Sequence, residues 1–296
     1  MDSFSFHAGG EGAGEDRLRA PSPAAARPPA APAGRPVPLA RAVLAALAAA
    51  AFLAPLASAD EPAQGLDRAR VYRIAVDENY PPFSFADGKG GMTGFDPDIA
   101  RALCVDMKLR CVIVPTPFDD IIPGITAGKL DVGATGFGAT PERMAVVDFT
   151  DKYYRSTTIF IQYGDAFSDI DPDTLRGKRI GVQKDSIQER YAREHFSALA
   201  EIKVYDDPGL IFAAMKEGAC DLALADGLAT FSFIMSEEGD GFDTAGDPMP
   251  LDVESRMAIS KGLPALRSEM NRSILRIRQS GVYDAINRKY FSFSIY

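Results

Sequence analysis

The run over residues 136–143, GFGATPER, combines glycines, a helix-capping threonine and an arginine. Thr140 can accept hydrogen bonds from the first amides of a helix, and Pro141 suits the first helical position. Arg143 then lies in the first turn, where free N–H groups and the helix dipole also favour negative charge. Since that end of a helix normally prefers Asp or Glu, the run indicates a site for a carboxylate. The competing interpretation is an arginine turned outward to a surface carboxylate.

The elements around this run alternate between short apolar stretches and amphipathic ones, which is typical of an α/β architecture. The carboxyl ends of parallel strands form the ligand site in open sheets, and this rule singles out Asp77, Thr135, Gln183 and Asp226. The pattern predicts helices that begin at Asp96 and at Pro141, and further helices over 118–127, 173–177, 186–196, 208–217, 264–278 and 283–290. It predicts strands over 71–76, 111–114, 130–133, 153–162, 179–182, 202–205, 222–225 and 251–259.

The first 59 residues differ in composition from the rest of the chain. Residues 21–38 are rich in Pro and Ala, and residues 39–57 are rich in Ala and Leu and end in a small-x-small cleavage pattern, Ala57-Ser58-Ala59. We therefore interpret 1–59 as an export signal and leader, cleaved near Ala59. No cysteine follows the cleavage pattern and no later run is long enough to cross a bilayer, so the product is expected outside the cytoplasm without a lipid anchor.

Charge and cysteine usage exclude two functional classes. The formal net charge is −9, so nucleic acid is a poor partner. A metal site is not expected, because Cys104 and Cys111 have no further ligands nearby and the two histidines are isolated. In an oxidising compartment Cys104 and Cys111 can close a small loop. Cys220 is left over and is expected to be a buried free thiol.

Several motifs in one order resemble bacterial extracellular solute-binding proteins of the polar amino-acid class, especially the lysine/arginine/ornithine- and histidine-binding proteins. The resemblance covers nearly all of the chain after Asp60. It implies a two-lobed α/β fold with two crossings, with residues 60–156 and 253–296 in lobe 1 and 157–252 in lobe 2. It also implies a Cys104–Cys111 disulfide. The motifs are residues 74–83 (IAVDENYPPF), 94–100 (GFDPDIA), 140–143 (TPER), 148–154 (DFTDKYY), 177–182 (GKRIGV) and 281–291 (GVYDAINRKYF).

The same resemblance assigns roles in a cleft between the lobes. Arg143 should grip the ligand carboxylate with two parallel hydrogen bonds, and Asp226 should take the ammonium. Tyr80 and Phe118 match rings that sandwich the ligand side chain, and Asp77 matches a carboxylate that faces basic side chains. Each assignment has a competing interpretation: Asp226 as the cap of the next helix, the rings as core, and Asp77 as part of a turn.

The chain departs from these relatives at positions that face the ligand. Gly136 and Gly138 replace serines, which leaves backbone groups and more room. Ile187 replaces a threonine that bonds the carboxylate, so its N–H and the hydroxyl of Ser186 are the remaining donors there. Gln183 replaces an apolar residue. These changes leave the identity of the ligand open.

The resemblance implies a periplasmic receptor that delivers an amino acid or close analogue to the permease subunits of an ABC transporter. We expect a monomer without a cofactor. One alternative is an enzyme similar to cyclohexadienyl dehydratase, although neither histidine falls at a matched cleft position. The other is a soluble sensor module read by a separate signalling partner.

Overall fold

The computed structural model describes residues 65–296, which form an α/β fold. The predicted leader and its cleavage site lie outside the described residues. Among the residues described, no helix is long and apolar enough to span a membrane. The strands are β1 Val71–Asp77, β2 Phe85–Ala86, β3 Met92–Thr93, β4 Arg110–Thr116, β5 Val132–Phe137, β6 Asp148–Phe149, β7 Tyr154–Tyr163, β8 Arg179–Gln183, β9 Glu201–Tyr205, β10 Leu222–Asp226 and β11 Phe242–Ile259.

The helices connect these strands in the predicted order. Eight of them correspond to predicted helices, and one, between β10 and β11, was not among the elements predicted. They are α1 Phe95–Met107, α2 Phe118–Thr126, α3 Pro141–Val146, α4 Pro172–Leu175, α5 Ile187–His195, α6 Pro208–Lys216, α7 Gly227–Ile234, α8 Pro264–Gln279 and α9 Val282–Tyr290.

Two lobes share one strand ladder, with the order β4-β1-β5-β11-β7-β10-β8-β9. In lobe 1, β1 runs parallel to β4 and β5, and the end of β11 pairs antiparallel with β5 and β6. In lobe 2, β8 runs parallel to β9 and β10, and β7 pairs antiparallel with β10 and with the first part of β11. The carboxyl ends of β1, β8 and β10 therefore carry Asp77, Gln183 and Asp226.

Each lobe has its own core on both faces of its sheet, because alternate side chains of a strand point to opposite faces. In lobe 1, Ile74 packs with α1, α8 and α9, whereas the neighbouring Ala75 packs with α2. In lobe 2, Phe160 packs into one hydrophobic cluster and the neighbouring Ile161 packs into another, which contains Ile211 of α6. Helices therefore cover both faces of each sheet, which leaves the strand ends free to form a cleft.

The strands β7 and β11 pass from one lobe to the other. The lobe boundaries predicted after residues 156 and 252 fall within these two strands, and they stay predictions. The strand predicted over 251–259 is the end of a longer one, since β11 begins at Phe242. The first part of β11 was not predicted, because Gly246 and two prolines lie in it and such residues normally interrupt strands. The pairing of β11 with β7 shifts register on both sides of Met249 to accommodate them.

The cysteine predictions are confirmed. Cys104, near the end of α1, is joined to Cys111 in β4 by a disulfide. Cys220 is a buried free cysteine immediately before β10. Burial raises the pKa of its thiol to about 11, which makes it unreactive at neutral pH.

Candidate functional site

One cavity between the lobes is lined by all ten residues that the sequence predicted for the ligand site. Its volume is about 40 Å³, which is enough for water but too small for an amino acid. The lobes must therefore separate, and the lining must rearrange, before such a ligand fits. The ten residues are Asp77, Tyr80, Phe118, Thr135, Gly136, Gly138, Arg143, Ser186, Ile187 and Asp226.

Arg143 reaches the cavity from the first turn of α3, as the sequence predicted. Thr140 caps that helix and accepts a hydrogen bond from the Arg143 N–H at 3.3 Å, and Pro141 occupies its first position. The guanidinium donates to the carbonyl oxygen of Gly138 at 2.9 Å. It also donates to the carbonyl oxygen of Asp185, in the loop before α5, at 2.7 Å. Arg143 thus spans the cleft from lobe 1 to lobe 2.

The positive charge of Arg143 is incompletely balanced. Within residues 65–296 it forms no ion pair, and both acceptors of its guanidinium hydrogen bonds are neutral carbonyls. Burial lowers the pKa of Arg143 to about 10, and the carboxylates of Asp185 and Glu142 offset only part of this effect. A partly desolvated cation of this kind favours an anion that can bond to it in the fork geometry of its N–H groups.

Asp226, at the carboxyl end of β10, caps a helix and also lines the cavity. Its Oδ1 accepts hydrogen bonds from the N–H groups of Leu228 and Ala229, each at 3.0 Å, so the residue does cap α7. It also lines the same cavity as Arg143, from the other lobe. Burial raises the pKa of Asp226, and the hydroxyl of Ser156 and the capping amides oppose this shift. A cation beside the carboxylate would favour its ionised form.

Three further buried polar atoms at the cavity have no hydrogen-bond partner. They are Oδ2 of Asp77, Oγ1 of Thr135 and Nε2 of Gln183. Asp77 is 3% exposed, and burial raises the pKa of its carboxyl to about 6. Its Oδ1 accepts the Asn79 N–H at 3.1 Å, and this hydrogen bond opposes the effect of burial on the pKa. Since buried polar groups are normally paired, these atoms are available to a polar group that enters the cavity.

The aromatic rings of Tyr80 and Phe118 lie at the cavity and also pack against the lobe 1 core. Tyr80 stacks on Phe83 with ring centroids 5.3 Å apart, and Phe118 packs against Phe137 at 5.1 Å. The Arg143 guanidinium lies over the Phe118 and Phe137 rings at 5.7 and 5.0 Å. Both residues are half-buried. That they sandwich a ligand side chain stays a prediction.

The two glycines do not leave the extra room that the sequence suggested. A Cβ added at Gly136, where φ is 65°, would lie 1.8 Å from the Tyr154 hydroxyl oxygen. A Cβ at Gly138 would lie 3.0 Å from Cγ2 of Ile187. Tyr154 and Ile187 therefore occupy the space that side chains at 136 and 138 would need, so the expectation of more room is wrong.

Two ion pairs join the lobes beside the cavity. Lys184 Nζ lies 2.5 Å from Oδ2 of Asp119, and Arg190 Nη1 lies 3.6 Å from Oε2 of Glu142. Both partners on lobe 2 flank the Asp185 carbonyl that accepts from Arg143. These contacts stabilise the arrangement in which the lobes touch.

Some residues of the cavity were missed by the site prediction. Gln188 and Val253 line it, and Gln183 was noted only as a departure and a strand end. Gln188 follows Ile187 on α5 and donates to Oγ1 of Thr158 at 3.2 Å. The signal that could have identified Gln188 was its position directly after the predicted Ser186 and Ile187. Val253 lies in β11, where no motif marks the cleft.

Comparison with known proteins places the chain among bacterial transport receptors. The family model of bacterial extracellular solute-binding proteins, family 3, matches residues 72–293. The chain is 33% identical to the L-arginine-binding protein of Pseudomonas aeruginosa, over 86% of this chain and 97% of that protein. It is 32% identical to the lysine/arginine/ornithine-binding periplasmic protein of Escherichia coli K12, over 76% of this chain and 88% of that protein.

A solved structure is similar over the same region. It is the crystal structure of an ancestral amino acid-binding protein, a precursor of cyclohexadienyl dehydratase. The TM-score is 0.67 and the identity is 28%, over 75% of this chain and 95% of that chain. This likeness agrees with the two-lobed fold.

Proposed function

Because the chain belongs to family 3 of the bacterial extracellular solute-binding proteins, we propose that it captures an amino acid in the periplasm and delivers it to an ABC transporter. The leader inferred over 1–59 and the periplasmic E. coli relative support this location. The arginine- and lysine/arginine/ornithine-binding relatives support the ligand class.

One observation carries the proposal: Arg143 and Asp226, which have opposite charges and no ion pair within residues 65–296, line one cavity from different lobes. A zwitterion satisfies both, since its carboxylate can bond to Arg143 and its ammonium to Asp226. Burying either charge alone is unfavourable, whereas the pairs formed with a ligand compensate for desolvation. A free amino acid is the simplest molecule that carries both groups.

The remaining walls favour a cationic side chain on that amino acid. Asp77 supplies a buried carboxylate whose Oδ2 is unpaired, and a nearby cation would lower its raised pKa. The rings of Tyr80 and Phe118 supply apolar surface and cation–π attraction for the stem and the charge. We therefore assign L-arginine, L-lysine or L-ornithine as the ligand class.

Binding and delivery follow from the two-lobed design. A ligand held by Arg143 from one lobe and by Asp226 from the other binds the closed arrangement better than the open one. This difference in affinity shifts the population towards closure. The closed form would present both lobes to the permease, and opening would release the ligand there.

An enzyme related to cyclohexadienyl dehydratase is the second candidate, and the solved ancestral structure is the observation that favours it. Two raised carboxyl pKa values, those of Asp77 and Asp226, supply acid groups in the cavity. The curated relatives described above are binding proteins, so we assign binding rather than turnover. Incubation with prephenate or L-arogenate and detection of the aromatic product would distinguish the two, and we expect no product.

Calorimetric titration tests the proposed binding. L-Arginine, L-lysine and L-ornithine should bind, and L-glutamate should bind at least about tenfold more weakly, because its side chain meets the Asp77 carboxylate. Agmatine, which is arginine without its carboxylate, isolates the role of Arg143. It should bind weakly to the wild type and should lose little further affinity in Arg143→Ala.

Arg288→Ala, which removes an exposed cation on α9, is the matched control and should bind L-arginine like the wild type. Equal affinity of the wild type for L-arginine and agmatine would remove the carboxylate from the site. Absence of binding by every cationic amino acid would overturn the assigned ligand class.

A further inference from the structure

A groove of about 690 Å³ lies behind the crossing strands β7 and β11, on the side opposite to the ligand cavity. On the cavity side, Ser255 pairs with Tyr154, whose hydroxyl lies beside Gly136. The next pair in the ladder, Glu254 and Arg155, is joined by an ion pair at 3.1 Å and lines the groove. Since adjacent residues of a strand point to opposite faces, this pair marks the back of the crossings. We call this space the hinge groove.

One wall of the hinge groove is the C-terminal segment of lobe 1. Phe293 lines the groove and is 50% exposed. Its carbonyl oxygen accepts a hydrogen bond from Nδ2 of Asn287 in α9 at 2.6 Å. Two residues further on, Ile295 is buried in the lobe 1 core, and its carbonyl oxygen accepts the Arg155 N–H at 2.7 Å. The segment is therefore fixed to lobe 1, and the Phe293 ring moves with that lobe.

The opposite wall is helix α7 of lobe 2. Phe231 lines the groove from this helix and is 53% exposed. The helix is fixed to lobe 2, because Phe233 and Ile234 pack against the hydrophobic cluster that contains Ile161. The Phe231 ring therefore moves with lobe 2. Two exposed aromatic rings thus line one groove from different lobes.

The ligand cavity and the hinge groove change width in opposite directions. The strands β7 and β11 connect the lobes, and the two spaces lie on opposite faces of these strands. A rotation about the strands that separates the lobes at the ligand cavity brings them together at the hinge groove. Opening of the lobes therefore moves Phe231 towards Phe293, and closure moves the two rings apart.

Contact between these rings would favour the open arrangement. It removes apolar surface from water, and a pair of aromatic rings gains further energy from its packing geometry. The closed arrangement leaves both rings half exposed and forgoes this gain. A ligand that closes the lobes must break the contact, so part of its binding free energy is used for that step.

Resting on the proposed closure around an amino acid, we propose that Phe231 and Phe293 meet across the hinge groove when the lobes open. This contact holds the ligand-free protein open and thereby lowers the affinity for the ligand. The affinity falls by the factor with which the contact favours the open form. For one aromatic pair this factor is roughly two- to tenfold.

Calorimetry with L-arginine tests the effect on affinity. Phe231→Ala and Phe293→Ala should each bind about two- to tenfold more tightly than the wild type, although neither residue lines the ligand cavity. The double variant should bind no more tightly than either single variant, because the same contact is lost in all three. Met235→Ala removes an exposed apolar side chain that lies outside the groove, and this control should bind like the wild type. Unchanged or weaker binding by both single variants overturns the inference.

Cross-linking tests the contact itself. A protein with Phe231→Cys and Phe293→Cys should react with a short bis-maleimide when ligand-free, and saturating L-arginine should slow this reaction at least about tenfold. Phe231→Cys with Thr244→Cys places both thiols on lobe 2 at the same groove, so the rate of this control pair should not depend on L-arginine. The native cysteines do not interfere, since one is buried and the other two form the disulfide.

The outcomes separate the inference from the proposed function. If L-arginine binds and leaves the rate of cross-linking between positions 231 and 293 unchanged, the inference is overturned and the proposed function stands. If L-arginine does not bind, the proposed function fails, and the ligand-free protein still decides the inference. Positions 231 and 293 that stay unlinked while the control pair reacts would then overturn it as well.

Discussion

Replacing Asp77 by Asn should stabilise the ligand-free protein while weakening its binding of a cationic amino acid. The carboxyl is buried, and burial raises its pKa from 3.8 to about 6. Asn keeps an oxygen that can accept the Asn79 N–H and removes the buried charge. Such opposite effects on stability and affinity are expected of a residue that serves the ligand and not the fold.

The sign and the size of this change in stability follow from the pKa of Asp77. Between pH 3.8 and 6 the folded protein holds a proton on Asp77 that the unfolded chain has lost. The favourable contribution of the carboxyl is therefore fully present below pH 3.8 and is lost as the pH rises through 6. A shift of roughly two pKa units corresponds to about 3 kcal/mol at pH 8. This is an upper limit on the gain from Asn, since its Nδ2 would replace an oxygen that has no partner.

Thermal unfolding at pH 8 and pH 4 measures this effect. Asp77→Asn should raise the midpoint at pH 8 by up to about 6–12 °C, on the scale of roughly 2–4 °C per kcal/mol for a protein of this size, and by much less at pH 4. Asp240→Asn, which neutralises an exposed carboxylate, is the control and should change the midpoint little at either pH. An equal gain at both pH values, or no gain at pH 8, would refute the reasoning.

Three further predictions test other parts of the account. Arg143→Ala should reduce the affinity for L-arginine by about 2–5 kcal/mol, as measured by calorimetry, with an unchanged circular dichroism spectrum; full affinity would exclude Arg143 from the site. Lys184→Ala removes the ion pair with Asp119 across the cleft and should weaken L-arginine binding slightly at low salt and by less at high salt, whereas a salt-independent loss would contradict an electrostatic role. Alkylation without reductant should modify Cys220, and only after unfolding; modification of the native protein would show that the thiol is accessible.

The sequence predicted which elements carry the candidate site residues. Arg143 and Asp226 stand at a helix start and a strand end, which local signals identify, and motif order placed them in one cleft. The first part of β11 could not be predicted, because glycine and proline normally interrupt strands and here are absorbed by register shifts. The lack of space at Gly136 could not be predicted either, because the hydroxyl of Tyr154 that fills it comes from a different strand, β7.

The space of about 260 Å³ beside Asp226, among α6, β10 and α7, also could not be predicted from the sequence, because no residue spacing in the chain indicates such a cavity. Volumes of this kind depend on how helices pack against a sheet, and that depends on many side chains at once.

Small-angle scattering with and without saturating L-arginine tests the central claim, that one zwitterion joins Arg143 of lobe 1 to Asp226 of lobe 2. Asp226→Asn is the informative variant, because Asn also caps helices well and so preserves the start of α7 while it removes the charge. The wild type should contract on binding, and Asp226→Asn should contract less at the same ligand concentration. Equal contraction with equal affinity would mean that Asp226 serves only as the helix cap and that the ammonium is held elsewhere.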